Sequence, residues 1–259
     1  MLKLDEISQS DVLDYLRQIP ENSVQLIVAD PPYNLGPKFG NDKEWMNDNE
    51  WLPWCVEWLK ECKRILAPDG NLIVYGIHHY LCFLQVELYK LDMQYRRQII
   101  WHYENGFSTY KRSLATHYEP LIWFSKTKDY YFDEIREPYK SQERLKSKVI
   151  KNGKEWFPNP NGRIAGDVWK FPTLAGRRFA GEKVNHPTQK PMSISERLIR
   201  HFSEEGATVV IPFAGSGSEC VAAAMNGRHF LASELKLEYV QLGNSRVQEA
   251  LTGGVTSKG

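Results

Sequence analysis

The chain has 259 residues, 42% of them hydrophobic and 25% charged, with a formal net charge of +1. That balance supports a large buried core and excludes a fibrous, low-complexity or natively unfolded polymer. No run of 18 apolar residues occurs and the first residues show no signal-peptide apolar stretch, so the cytoplasm is the expected compartment.

In chain order, Leu2-Lys3-Leu4 reads as a short edge strand, and Ser10 or Asp11 is placed to cap a helix from Val12 to Ile19. Val24-Gln25-Leu26-Ile27-Val28-Ala29 is the apolar run of a buried parallel strand, and it ends at Asp30-Pro31-Pro32-Tyr33. Two prolines cannot continue a ladder. They fix φ at consecutive residues and remove two N–H donors, which leaves a carbonyl such as that of Pro31 open to a ligand. Ligands of open α/β sheets bind beyond the carboxyl ends of strands. A carboxylate, a rigid carbonyl and an aromatic face at that place suit a planar base with an exocyclic amine, and a tight turn with a packed Tyr is the plain alternative.

Trp51 to Leu66 carries apolar residues at helical spacing and stops at Pro68-Asp69-Gly70. Leu72 to Tyr75 reads as a strand and Tyr80 to Leu91 as a helix. Arg97–Trp101 and Pro120–Phe124 are two further strands with no helix-length pattern between them, as at the antiparallel edge of a mixed sheet.

From Lys140 to Lys190 there are 12 Lys or Arg against 4 Asp or Glu, a local +8, which leaves 21 basic and 28 acidic groups, or −7, elsewhere. Trp156, Phe157, Trp169, Phe171 and Phe179 lie among these cations, and Gly and Pro break the segment repeatedly. This is the composition of a loop-rich insertion that touches nucleic-acid phosphate, with a solvated face as the alternative. Lys151, Lys154, Arg163, Arg177 and Arg178 are its candidate phosphate contacts. Asn34, after Tyr33, is a candidate for seating a base or for turn chemistry.

Met192 to Glu204 reads as a helix and Ala207 to Pro212 as a second buried strand, followed at once by Phe213-Ala214-Gly215-Ser216-Gly217-Ser218 and a small-residue helix, Glu219 to Met225. Strand, glycine turn and helix is the layout of a nucleotide-type site, where the backbone approaches the ligand because no Cβ intervenes. His229 to Ser233 is a further strand ending at Glu234, an acid roughly 20 residues past the glycines that can accept from ribose hydroxyls. A last helix runs from about Leu235 to Leu251, before a tail expected to be disordered.

Together these motifs resemble the S-adenosylmethionine-dependent amino-group DNA methyltransferases of class β, in which D-P-P-Y comes first and F-x-G-x-G last. The resemblance runs from Ser10-Asp11 to about Tyr239 and includes Thr188-Gln189-Lys190-Pro191, similar to the family's T-x-K-P element. Residues 151–163 resemble the MboII-type N6-adenine members. The resemblance implies an α/β fold: a mixed, mostly parallel Rossmann-like sheet with helices on both faces. It implies a catalytic half at residues 1–135, a target-recognition insertion at 136–187, a cofactor half at 188–252 and a tail at 253–259. Asp30, Pro31, Pro32 and Tyr33 are then catalytic. Asp11, Asp30, Lys190, Phe213, Gly215, Ser216, Gly217, Ser218 and Glu234 hold S-adenosylmethionine, with Lys190 near its carboxylate. Asp11 reads the cofactor's adenine or simply caps its helix. One departure is Ile211, where members usually carry an Asp that backs the glycine loop.

The implied reaction is methylation of adenine N6 in double-stranded DNA after base flipping, in a bacterial cytoplasm at the nucleoid. A companion restriction endonuclease and a homodimer are implied partners. N4-cytosine members often have Ser in place of Asp30, and protein-glutamine or small-amine methyltransferases have Asn there. A non-catalytic nucleic-acid-binding module is the remaining alternative. No Pro-Cys dipeptide occurs, which argues against cytosine-C5 chemistry. Cys55, Cys62, Cys82 and Cys220 show no C-x-x-C pair or Cys/His ligand spacing, so neither a metal site nor a disulfide frame is expected.

Overall fold

The apolar run at residues 24–29 becomes an inner strand of an eight-stranded sheet in a computed structural model, which describes residues 2–34, 48–77, 79–105, 112 and 114–253. In chain order the first elements are β1 (Ile7–Gln9), α1 (Val12–Leu16), β2 (Val24–Ala29), α2 (Asp48–Ile65), β3 (Leu66–Tyr75), α3 (Leu81–Lys90), β4 (Gln94–His102) and β5 (Tyr118–Ser125). The basic region supplies β6 (Arg136–Glu137), β7 (Val149–Lys151), β8 (Lys154–Trp156), β9 (Arg163–Ile164) and β10 (Val168–Lys170). Then come α4 (Met192–Phe202), β11 (Thr208–Ile211), α5 (Ser218–Met225), β12 (His229–Glu234) and α6 (Leu237–Leu251).

The sheet order is β1-β12-β11-β2-β3-β5-β4-β10, and every neighbouring pair is parallel except those made by β5. Side chains alternate along β2. Leu26 and Val28 enter a core shared with α4, α5 and α6, whereas Ile27 and Ala29 enter one shared with α1, α2 and α3. Covering both faces is what a largely parallel sheet requires, and it explains why β2 reads as nearly continuous apolar sequence. From β2 the chain crosses through α2 to β3 on one side, and from β11 through α5 to β12 on the other. The carboxyl ends of β2 and β11 therefore flank a topological switch point, where an open α/β sheet leaves a crevice for a ligand.

Four expectations change. The N-terminal strand is Ile7–Gln9, not Leu2–Leu4, because pairing with β12 buries Ile7 while Leu4 stays exposed. The first helix ends at Leu16, although Ile19 still reaches the core. No turn separates α2 from β3: Leu66 pairs with Val24 and Asn71 with Leu26, so residues 67–70 bulge from the ladder. Within the loop-rich basic insertion Trp169 is buried rather than offered to nucleic acid, since β10 joins the main sheet beside β4. Trp101 Nε1 donates to the Phe171 carbonyl at 2.8 Å, so Trp169 and Phe171 are structural. Among the described residues no helix is long and apolar enough to cross a membrane, and no group of three or more His, Cys, Asp or Glu is placed to hold a metal ion. Residues 254–259 of the expected tail lie outside the described residues.

Candidate active site at the sheet switch point

A cavity of about 200 Å³ opens between the ends of β2 and β11. Asp11, Asp30, Pro31, Pro32, Tyr33, Lys190, Phe213, Gly215, Ser216 and Glu234 all line it, so residues from both ends of the chain meet in one wall. The Pro32 carbonyl accepts from Trp51 Nε1 at 2.8 Å, while among the described residues nothing donates to the Pro31 carbonyl. The Tyr33 hydroxyl donates to Asp30 Oδ1 and the Lys190 ammonium to Asp30 Oδ2 at 2.9 Å. Burial, and next the Asp30 charge, hold the Tyr33 phenol well above its ordinary pKa, so it stays a donor.

Lys190 is turned onto carboxylates rather than left open to a ligand's anion. Besides Asp30 it meets Glu119 Oε2 at 3.2 Å and the Tyr33 hydroxyl at 3.3 Å, and it lies 4.8 Å from the Tyr75 ring centroid. Burial favours the neutral amine, but Asp30 and Glu119 outweigh it and keep the ammonium charged. Glu119 is pushed the other way, upward by burial and then partly restored by Lys190. Nothing in its sequence context marked it, because a lone acid at a strand start carries no spacing signal.

In the second half, Glu234 is 6% exposed and accepts from the Gly215 amide at 3.0 Å and the Lys236 amide at 3.0 Å. It therefore backs the glycine loop itself. Ile211 is buried beside Ala232 and leaves no polar group there. Asp11 caps α1, accepting from the Leu13 amide at 2.8 Å and the Asp14 amide at 3.3 Å, and faces the cavity as well. Trp54 and Phe213 form one aromatic wall, with ring centroids 5.8 Å apart, and His186 and Tyr239 another at 4.4 Å. Burial, opposed by Asp30, lowers the His186 pKa to about 4, so its ring is neutral near pH 7. The sequence reading gave His186 no role.

Two residues expected at the cofactor make contacts within the scaffold. Gly217 has φ 79°, and a Cβ there would stand 2.9 Å from the Gly243 Cα of α6. The Ser218 hydroxyl donates to the Lys190 carbonyl at 2.9 Å, and neither residue lines the cavity. Gly215 does line it, with φ 51° and a would-be Cβ 3.1 Å from the His186 ring. Gly217→Ala is expected to cost about 2–4 kcal/mol of folding stability, from left-handed strain plus the backbone clash. Urea denaturation checks this, and a loss below about 1 kcal/mol would show that α6 can shift aside.

The candidate phosphate contacts are dispersed. Lys151 and Lys154 pair across the β7–β8 hairpin with both side chains exposed, near exposed Trp156 and Phe157. Arg177 and Arg178 lie on an exposed 3₁₀ turn, Arg177–Phe179. Arg163 is not a free cation: it binds Glu137 at 2.8 Å, and Glu137 also holds Arg197 at 2.7 Å. Asn34 has left-handed φ 57°, the turn role open to its residue type.

A family model described as "DNA methylase", of the N6 and N4 type, matches residues 24–245. The Type II methyltransferase M1.MboII of Moraxella bovis is 36% identical over 253 residues, covering 94% of this chain and 96% of that protein. The DNA adenine methyltransferase YhdJ of Escherichia coli is 32% identical over 248 residues, covering 94% and 83%. Among solved structures, a DNA modification methylase of Thermus thermophilus complexed with S-adenosyl-L-methionine superposes with a TM-score of 0.66 at 24% identity, covering 96% and 95%. The cytosine-N4-specific PvuII DNA methyltransferase superposes at 0.69 with 19% identity, covering 96% and 94%. With its two sequence halves joined at one cavity and this family matched over most of its length, the chain belongs to the DNA methylases of the N6 and N4 type.

Proposed function

We propose that the enzyme methylates the exocyclic N6 of adenine within a specific sequence of double-stranded DNA. The observation that carries this is the pairing of a cavity-facing Asp30 carboxylate with a Pro31 carbonyl to which no described residue donates, at one strand end. An amine offers two hydrogens, and these are two acceptors on a rigid support. Drawing both hydrogens pulls the nitrogen lone pair out of ring conjugation, which makes it a nucleophile without a covalent intermediate. The target base is flipped out at a cost of a few kcal/mol and stacks on Tyr33, while Pro32 keeps the turn stiff. Asn34 seats the base edge. YhdJ is named an adenine methyltransferase and this chain has Asp rather than Ser at the motif's head, which supports adenine over cytosine.

S-adenosylmethionine, when bound, supplies the methyl group on a sulfonium. Residues of the cavity wall would hold it: Glu234 would accept from the ribose hydroxyls, Asp11 would meet the adenine, and Phe213, Gly215 and Ser216 would form the loop wall. Gly217 and Ser218 support that loop from behind, and Lys190 acts through Asp30. Residues 136–187 form the recognition segment, with Lys151, Lys154, Arg177 and Arg178 on phosphates and Arg163 holding its fold. A companion restriction endonuclease and a second copy of this chain are the proposed protein partners, the first because relatives are named Type II methyltransferases. The bacterial cytoplasm, at the nucleoid, is the proposed location.

Plasmid DNA from a host without adenine methylation of its own, expressing this chain, should carry N6-methyladenine at one sequence by modified-base sequencing. N4-methylcytosine there would reassign the base, and unmodified DNA would overturn the proposal. Neutralising Arg177 and Arg178 to Gln together should weaken duplex binding and flatten the slope of log affinity against log salt by roughly one unit per lost contact. Fluorescence anisotropy over a salt series reads this; an unchanged slope would return both arginines to solvated surface.

A further inference from the structure

Four carboxylates face the cofactor cavity, each held by its own donors. Asp11 accepts from two amides at the head of α1, Glu234 from the amides of Gly215 and Lys236, and Asp30 from the Tyr33 hydroxyl and the Lys190 ammonium. Glu219 is 5% exposed, on the first turn of α5, and among the described residues its only side-chain partner is the Ser195 hydroxyl at 3.0 Å. Its own amide lies beside it, and no described cation comes within 4.0 Å. The two lysines of the cavity wall are engaged elsewhere, Lys190 by Asp30 and Glu119, and Lys236 over the Tyr239 ring. Like Glu234, Glu219 faces the cavity on neutral donors alone; burial and then the like charge of Asp30 oppose its charged form, while Lys190 and Arg246 favour it from beyond ion-pair distance. A buried anion in that state is costly, and a cation bound in the same cavity relieves it.

S-adenosylmethionine carries a sulfonium, and the product left after transfer is a neutral thioether. We propose that Glu219 is the specificity-determining residue that makes the cavity favour the cationic cofactor over its neutral product. The inference rests on the assignment of the cavity to S-adenosylmethionine. Asp30 is ion-paired with Lys190 at 2.9 Å, which Glu219 is not.

The test is calorimetric titration of wild type and Glu219→Gln with S-adenosylmethionine and with S-adenosylhomocysteine. The Gln variant should bind the sulfonium at least about tenfold more weakly, a charge-pair effect between the limits of water and of protein-surface dielectric, and the thioether within about twofold of wild type. An equal loss for both ligands, or no change in their affinity ratio, would overturn the inference and make Glu219 a prop for α5. Should the Gln variant not fold, Ser195→Ala is the second variant. It removes the hydroxyl that stabilises the carboxylate from outside the cavity lining, and it should lower the same ratio by a smaller factor; an unchanged ratio would again overturn the inference. Wild type that binds neither ligand would overturn the assignment of the cavity itself, and this inference with it.

Discussion

Replacing Asp30 with Ala should slow methyl transfer by about 10²–10³-fold while S-adenosylmethionine still binds. The variant loses the acceptor assigned to the substrate amine but keeps the rest of the cavity wall. Lys190 retains Glu119 at 3.2 Å, so no buried ammonium is stranded. Single-turnover transfer of a tritiated methyl group to duplex, beside calorimetric titration of the cofactor, separates the two effects. A rate within a few-fold of wild type would remove Asp30 from the chemistry. A collapse of cofactor binding in parallel with rate would make it a ligand contact instead.

The second large effect is expected at Lys190. This ammonium is 4% exposed between the Asp30 and Glu119 carboxylates, and Lys190→Met leaves two like charges facing each other without it. Breaking a buried pair in this way costs about 3–5 kcal/mol at neutral pH. The sign with pH follows from the residual charges. Glu119 already has a raised pKa from burial, and losing Lys190 removes the effect that lowered it. A carboxyl raised in the folded state binds protons preferentially there, so acid stabilises the variant relative to wild type. The stability gap should narrow as pH falls from about 8 to about 5. Urea denaturation across that range is the measurement; a gap below about 1 kcal/mol, or one that widens with acid, would show that the carboxylates find other partners.

Most of the cavity wall could be read from sequence because its residues stand at the ends of strands that announce themselves. Val24–Ala29 and Thr208–Ile211 are apolar because both faces of the sheet are covered, and the prolines and glycines that follow can only be turns. Other features depend on partners distant in sequence. β1 is a strand only because β12 lies beside it, and its three residues carry no periodicity. Trp169, set among cations, resembled a nucleic-acid contact until β10 was found paired with β4. Glu119 and Glu219 were not singled out. One opens a strand and the other reads as a dipole-favoured acid in the first turn of a helix, so neither is conspicuous until the fold brings it to Lys190 or the cavity. Gly217 looked like a ligand-facing glycine, yet the close approach it permits is to α6.

The placement of β2 between β3 and β11 also has a consequence for biosynthesis. The ribosome delivers Asp30 early and the Gly215 loop and Glu234 only after most of the chain has been made. Until β11 docks, β2 is an open edge presenting unpaired backbone along Leu26, Ile27 and Val28. A nascent chain in that interval is both unable to form the cavity and prone to pairing with other edges. Translation that stops before β11 therefore yields no partial enzyme able to mark DNA, only a polypeptide suited to chaperones and proteases.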